Sequence, residues 1–141
     1  MNIEHDHLCD LIPHSGSMCL LDRVEQWEEG RILCLATNHR DPANPLREDG
    51  RLPAVAGVEY AAQAMAVHGA LLGREGDGPS VGYIAALRNI VFEVERLDDC
   101  GPTLRIEASK VMGDARNFIY DFTLFDEQRR LLSGRATVVH P

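Results

Sequence analysis

The stretch from Pro53 to Ala66, reading PAVAGVEYAAQAMA, sets the tightest limit on what this chain can fold into. It is built mainly from Ala, Gly, Val and Met, which predicts a thin helix buried on most sides rather than a surface amphipath. Pro53 stands at its mouth, where a missing N–H costs nothing. The helix is expected to run to about Leu72, with Gly73 and the run from Glu75 to Pro79 ending it. Glu59 and Gln63 fall on one face, a turn apart. A carboxylate on a buried helix is costly unless it is paired or used. Glu59 is therefore the first candidate for chemistry.

The remainder reads as strands and turns. Residues 6–11 suit one helical turn ended by Pro13, residues 18–24 an extended segment, and Arg31–Thr37 a strand. Residues 38–53 form a loop with prolines at 42, 45 and 53. After the helix, Ser80–Val94 is a long strand with a kink or bulge at Asn89. Turns at 98–102, 113–117 and 126–128 separate further strands over 103–112, 118–125 and 131–139, which predicts an antiparallel meander. One long helix among strands, without βαβ alternation, is an α+β pattern: a curled sheet wrapped around the helix, in one domain over residues 1–141.

A net charge of −8 argues against nucleic acid or an anionic membrane as partner, although Arg40, Arg47 and Arg51 gather before the helix. The amino terminus has neither a basic region nor an apolar run, and no stretch is long enough to span a membrane, so a cytoplasmic protein is expected. Cys9, Cys19, Cys34 and Cys100 are scattered without a CxxC pair and read as reduced core thiols. His5 and His7 lie in an acidic segment expected to be frayed, and no metal site or cofactor is expected.

Two ungapped stretches resemble the hot-dog-fold β-hydroxyacyl-acyl-carrier-protein dehydratases. Ile12–Val24, IPHSGSMCLLDRV, is similar to that family's LPHRYPFLLVDRV, and Pro53–Ala64 falls in register with its PGVLILEAMAQA. The segment from Gly82 to Leu87 is like the family's first strand after the helix. The resemblance puts Glu59 on the family's catalytic acid and Gln63 on the Gln beyond it. It also exposes a departure. The family's pre-helix GHFPG loop, whose His is the general base, is shortened here to Leu46–Ala54, or Gly50–Pro53 replaces it with Arg51 in place of the His. A short loop and a helix similar to GVEYMAQA are features of the divergent dehydratase-like proteins of aryl-polyene biosynthesis, which this chain resembles more closely.

On this reading Glu59 is a general acid or a dipole-stabilised helix residue. His39 is the nearest upstream imidazole and the candidate replacement base, or an exposed loop residue. Gln63 orients Glu59 or is an orphan amide in a helix contact, and the backbone N–H groups of Ala54 and Val55 polarise a thioester carbonyl at the helix mouth. Arg51 binds a carrier-arm phosphate or pairs with Glu48 or Asp49. His68 is read as a core or interface residue and His14 as structural, while Asp22 and Arg23 are expected to pair. The expected substrate is an acyl thioester on an acyl carrier protein or CoA, and exposed sheet edges predict a homodimer. The expected function is a 3-hydroxyacyl-carrier-protein dehydratase. The alternatives are a thioesterase using Glu59 or a non-catalytic acyl-binding partner subunit.

Overall fold

The computed structural model describes residues 3–12, 18–73, 83–114 and 116–139. β1 (Ile3–Glu4) leads into a short helix, α1 (His5–Cys9), and then to β2 (Arg23–Glu28) and β3 (Arg31–Ala36). A 3₁₀ turn (Asn38–Arg40) precedes the long helix α2 (Ala56–Gly73). Four strands follow: β4 (Tyr83–Phe92), β5 (Leu104–Gly113), β6 (Asn117–Phe125) and β7 (Arg130–Val139). All seven join one antiparallel sheet in the order β1-β2-β3-β5-β6-β7-β4. The expected turn after the helix, the start of the strand before Tyr83 and the role of His14 lie outside the described residues.

The expected meander holds only for β5–β6–β7. β3 pairs along its length with β5, from Arg31 opposite Ser109 to Ala36 opposite Leu104. The chain leaving α2 therefore finds that position occupied, and β4 adds to the far side of β7. The bulge at Asn89 is present: its φ is +55°, and the β4–β7 register shifts between Arg88 and Val91. A second shift lies between Ile84 and Ala86.

α2 packs on β3, β5 and β6. Its small residues set how deeply it sits. A Cβ on Gly57 would lie 2.6 Å from a Leu132 methyl and 3.2 Å from one of Leu124. Only hydrogen fits there, and the amino-terminal end of α2 comes down onto β6 and β7. Tyr60, Ala61, Ala64 and Val67 are wholly buried against the sheet's inner face, which presents Ile106, Ala108, Phe122 and Leu124. Among the described residues no helix is long and apolar enough to cross a membrane.

His68 is buried near the carboxy-terminal end of α2, as its core reading requires. Its Nε2–H donates to the Glu28 carbonyl (2.7 Å), and Nδ1 accepts from the Tyr120 hydroxyl (2.7 Å), tying the helix to two strands. Desolvation pushes this ring below the ordinary imidazole value of 6.5, against the opposing pull of the Glu28 carbonyl. The same cause lowers His39. A lowered folded value means the unfolded chain takes up protons first. This contribution to stability is full above the unfolded value and is lost as pH falls through the folded one. Melts at about pH 7.5 and about pH 5.5 should show a lower Tm at the acidic point; an unchanged Tm would count against neutral buried imidazoles.

Two readings need correction. Cys9 and Cys19 are joined in a disulfide, with Cα atoms 5.9 Å apart, while Cys34 and Cys100 are buried thiols. Their approach is a tertiary effect that sequence spacing does not report. Asp22 and Arg23 do not pair with each other among the described residues. The Asp22 N–H instead donates to the Leu35 carbonyl (2.7 Å), and Arg23 Nε is buried without a hydrogen-bond partner.

Candidate active site at the mouth of the central helix

The loop before α2 is fastened at both ends. Asp49 (φ +52°) and Gly50 (φ +77°) make a tight turn closed by two hydrogen bonds between Glu48 and Arg51, the hairpin geometry that Asp-Gly favours. Arg47 donates to the Asp41 and Gly50 carbonyls at 2.9 and 2.7 Å. Upstream, the Tyr60 hydroxyl donates to Asn38 Oδ1 (2.7 Å) and accepts from Asn44 Nδ2 (3.0 Å), anchoring the loop to the buried side of α2.

The last residues before the helix run beside the segment that follows β4. Leu97 N–H donates to the Leu52 carbonyl (2.8 Å), Ala54 N–H to the Glu95 carbonyl (3.0 Å), and Leu52 N–H to Asp98 Oδ1 (2.9 Å). Hydrogen bonds from Arg96 hold the Asp98 carboxyl well below its usual range. Asp98→Ala strips the acceptor from the Leu52 N–H and should cost about 1–3 kcal/mol. Chemical denaturation can check this, and wild-type stability in the variant would show that the pre-helix segment is held by other means.

Those bonds correct one expectation. The Ala54 N–H is spent on Glu95 and is not free to polarise a substrate. The N–H groups of Ala56, Gly57 and Val58 close tight turns onto Pro53, Ala54 and Val55. Val55 N–H makes no hydrogen bond among the described residues, and the Val55 side chain is 60% exposed. One of the two expected donors thus remains. Arg51 is exposed and makes no ion pair with Glu48 or Asp49 among the described residues.

Glu59 lies half-buried in the first turns of α2. Gln63, fully buried one turn on, donates from Nε2 to Glu59 Oε2 at 3.1 Å. The same amide nitrogen donates to the Met18 carbonyl (2.8 Å), and Gln63 Oε1 accepts the Leu20 N–H (2.9 Å). An amide gripped at both ends by main chain cannot rotate without breaking those bonds, so it offers the carboxylate a fixed donor. Gln63 is thus hydrogen-bonded to Glu59 one turn away, with the Met18–Leu20 strap as a component that sequence reasoning missed.

His39 belongs to another network. It is buried, its Nε2–H donates to the Gly101 carbonyl (2.6 Å), and Asp126 and Glu127 are the carboxylates nearby. Nδ1 is buried without a partner. Among the described residues no hydrogen bond links His39 to Glu59 or Gln63. The structure thus brings Glu59, Gln63 and the Val55 N–H to one end of α2 and leaves the candidate base apart from them.

A family model described as ApeP-like, ApeP dehydratase, matches residues 7–141. The chain belongs to the ApeP-like dehydratase family. That family is the aryl-polyene dehydratase group which the Ile12–Val24 and Pro53–Ala64 stretches resemble. The fold of this ApeP-like chain is correspondingly close to a chain of the dehydratase heterocomplex ApeI:P from Xenorhabdus doucetiae. The TM-score is 0.82 at 24% identity, covering 95% of this chain and 90% of that one. It is also similar to a thioesterase from Haemophilus influenzae (TM-score 0.69, 14% identity, 97% and 90% covered) and to AziG from S. sahachiroi (TM-score 0.66, 15% identity, 92% and 97% covered). These likenesses establish the hot-dog fold. No curated protein sequence matches the chain.

Proposed function

We propose that this chain supplies the acid half of a composite dehydratase site acting on a 3-hydroxyacyl thioester held by an acyl carrier protein. The observation that carries this reading is the Gln63 grip, which fixes Glu59 at an open helix mouth. Glu59 protonates the departing β-hydroxyl while a base removes the α-proton, so that water leaves and a double bond forms. The Val55 N–H polarises the thioester carbonyl. Met18 and Val55, both exposed, offer an apolar lip for the acyl chain, and the exposed Arg51 suits the carrier-arm phosphate. Among the described residues the His39 ring is held on Gly101, and the α-proton base is assigned here to a second subunit.

The place for that subunit is β4. Cross-strand partners share a face, so Leu87 opposite Ala136 and Phe92 opposite Leu132 point to the helix side of the sheet. α2 rests on β3, β5 and β6, and these two side chains are 43% and 45% exposed. A second copy would cover them but would repeat the same held His39. A different hot-dog dehydratase subunit brings a free imidazole as well, and the X. doucetiae relative is described as part of a heterocomplex. Catalysis is therefore assigned to a mixed pair and not to the expected homodimer.

The test incubates the chain, alone and with its co-encoded hot-dog partner, with a 3-hydroxyacyl carrier protein. The expected result is loss of one water by mass spectrometry in the mixture and not with the chain alone. Thiol release from the chain alone would instead favour a thioesterase using Glu59, and no change in either sample would leave an acyl-binding role.

A further inference from the structure

His5, Cys9 and Cys19 bring a nitrogen and two sulfurs within 4.8 Å of one another, where the Cys9–Cys19 bond joins α1 to the strap. We propose that reduction of the Cys9–Cys19 bridge converts this cluster into a zinc site with His5 Nε2, Cys9 Sγ and Cys19 Sγ as ligands and a fourth position open to water. Three features of the cluster support it.

The first is orientation. His5 Nδ1 lies 2.8 Å from the Leu21 carbonyl, so its proton is donated there and the Nε2 lone pair is left to a ligand. Metal-bound histidines are usually fixed by such an outer hydrogen bond. The second is spacing. Tetrahedral zinc with a Zn–S length of about 2.3 Å and a Zn–N length of about 2.0 Å sets its N and S donors roughly 3.5 Å apart. His5 Nε2 and Cys9 Sγ stand at 3.5 Å in the oxidised chain, where the sulfur lies beside the ring (3.7 Å from Nδ1); freed by reduction, Cys9 Sγ swings by side-chain rotation into line with the Nε2 lone pair. His5 and Cys9 are also one helical turn apart, which holds both on one face of α1. The third is the donor set itself. Two thiolates and an imidazole favour zinc over magnesium or calcium.

The chemistry balances. A dithiol reductant gives two electrons and two protons to the S–S bond and becomes a disulfide itself, leaving two thiols. Zinc then displaces both thiol protons and binds the thiolates. Cys34 and Cys100 do not compete, since both are buried and desolvation pushes the Cys34 thiol up to about 12. The site also bears on the strap. Cys19 lies between Met18 and Leu20, whose main-chain atoms Gln63 grips, so a metal there holds the strap as the disulfide does.

The test reduces the full chain with a dithiol, removes the reductant anaerobically and titrates Co²⁺ as the probe. One equivalent should bind with a sulfur-to-cobalt charge-transfer absorption, displaced by Zn²⁺. The oxidised chain should show none. His5→Ala should weaken binding at least about tenfold, and the double variant Cys9→Ser, Cys19→Ser should abolish the absorption. Zn²⁺ should also raise the Tm of the reduced chain and leave that of the oxidised chain unchanged. Absence of the absorption in the reduced wild-type chain, or its persistence at full affinity in His5→Ala or in the double serine variant, overturns the assignment. The oxidised control needs no substitution, so a variant that fails to fold does not remove the test.

Discussion

Replacing Glu59 with Gln lowers turnover of the 3-hydroxyacyl carrier substrate by at least about a hundredfold, the scale of lost general acid catalysis, while the Tm stays near that of the wild type. The two effects separate because the substitution keeps the side chain's size and an acceptor oxygen. Gln63 Nε2, now 3.1 Å from Glu59 Oε2, still has a carbonyl oxygen to meet, and the strap stays gripped through Met18 and Leu20. What disappears is the transferable proton. The measurement is water loss by mass spectrometry with the partner subunit present, alongside a thermal melt. Full turnover in Glu59→Gln would move the acid elsewhere; a fall in turnover matched by a fall in Tm would make Glu59 a structural residue.

Gln63→Leu should give the largest loss of stability among the changes considered. The side chain is wholly buried, and Leu fills much of the same space with no polar atom. The Leu20 N–H and the Met18 carbonyl then lose their partner together, at about 1–3 kcal/mol each where they remain buried. A chain of this size should melt roughly 10 °C lower. Turnover should fall as well, since nothing then fixes the Glu59 rotamer. Denaturant unfolding of the variant checks the first effect. A loss below about 1 kcal/mol would mean that water replaces the amide, and that the strap is held chiefly by its apolar side chains.

The contrast between these residues and the rest shows what could be read in the chain before folding. α2 was legible because small residues, a proline at the mouth and one carboxylate leave few other uses for such a segment. Asn89 was legible because a lone Asn inside an apolar strand suits a left-handed bulge. The partner of β4 was not, since alternation reports which face a residue takes and not which strand lies beside it. The turn at Asp49–Gly50 carries a strong local signal that a broad loop assignment passes over. The Ala54 N–H was lost to a carbonyl some forty residues downstream, a contact that the start of a helix cannot announce. His39 was expected in the loop after its strand, as a base or as an exposed residue, but the ring is buried and the Gly101 carbonyl that holds it belongs to a distant turn. The candidate site was therefore readable along α2 itself and unreadable wherever another segment completes it.

The two register shifts in β4 have a bearing on solubility. They put Ile84, Leu87 and Phe92 on one side of the strand at spacings that strict alternation would send to opposite sides. They also break the free edge into short runs, because each extra residue interrupts the regular spacing of N–H and C=O groups. A stray strand from another molecule can pair with only a few consecutive residues before it falls out of step. An apolar ten-residue edge would otherwise be a template for runaway sheet growth. The broken edge lets β4 keep exposed apolar side chains such as Leu87 and Phe92 and remain a poor seed for fibres.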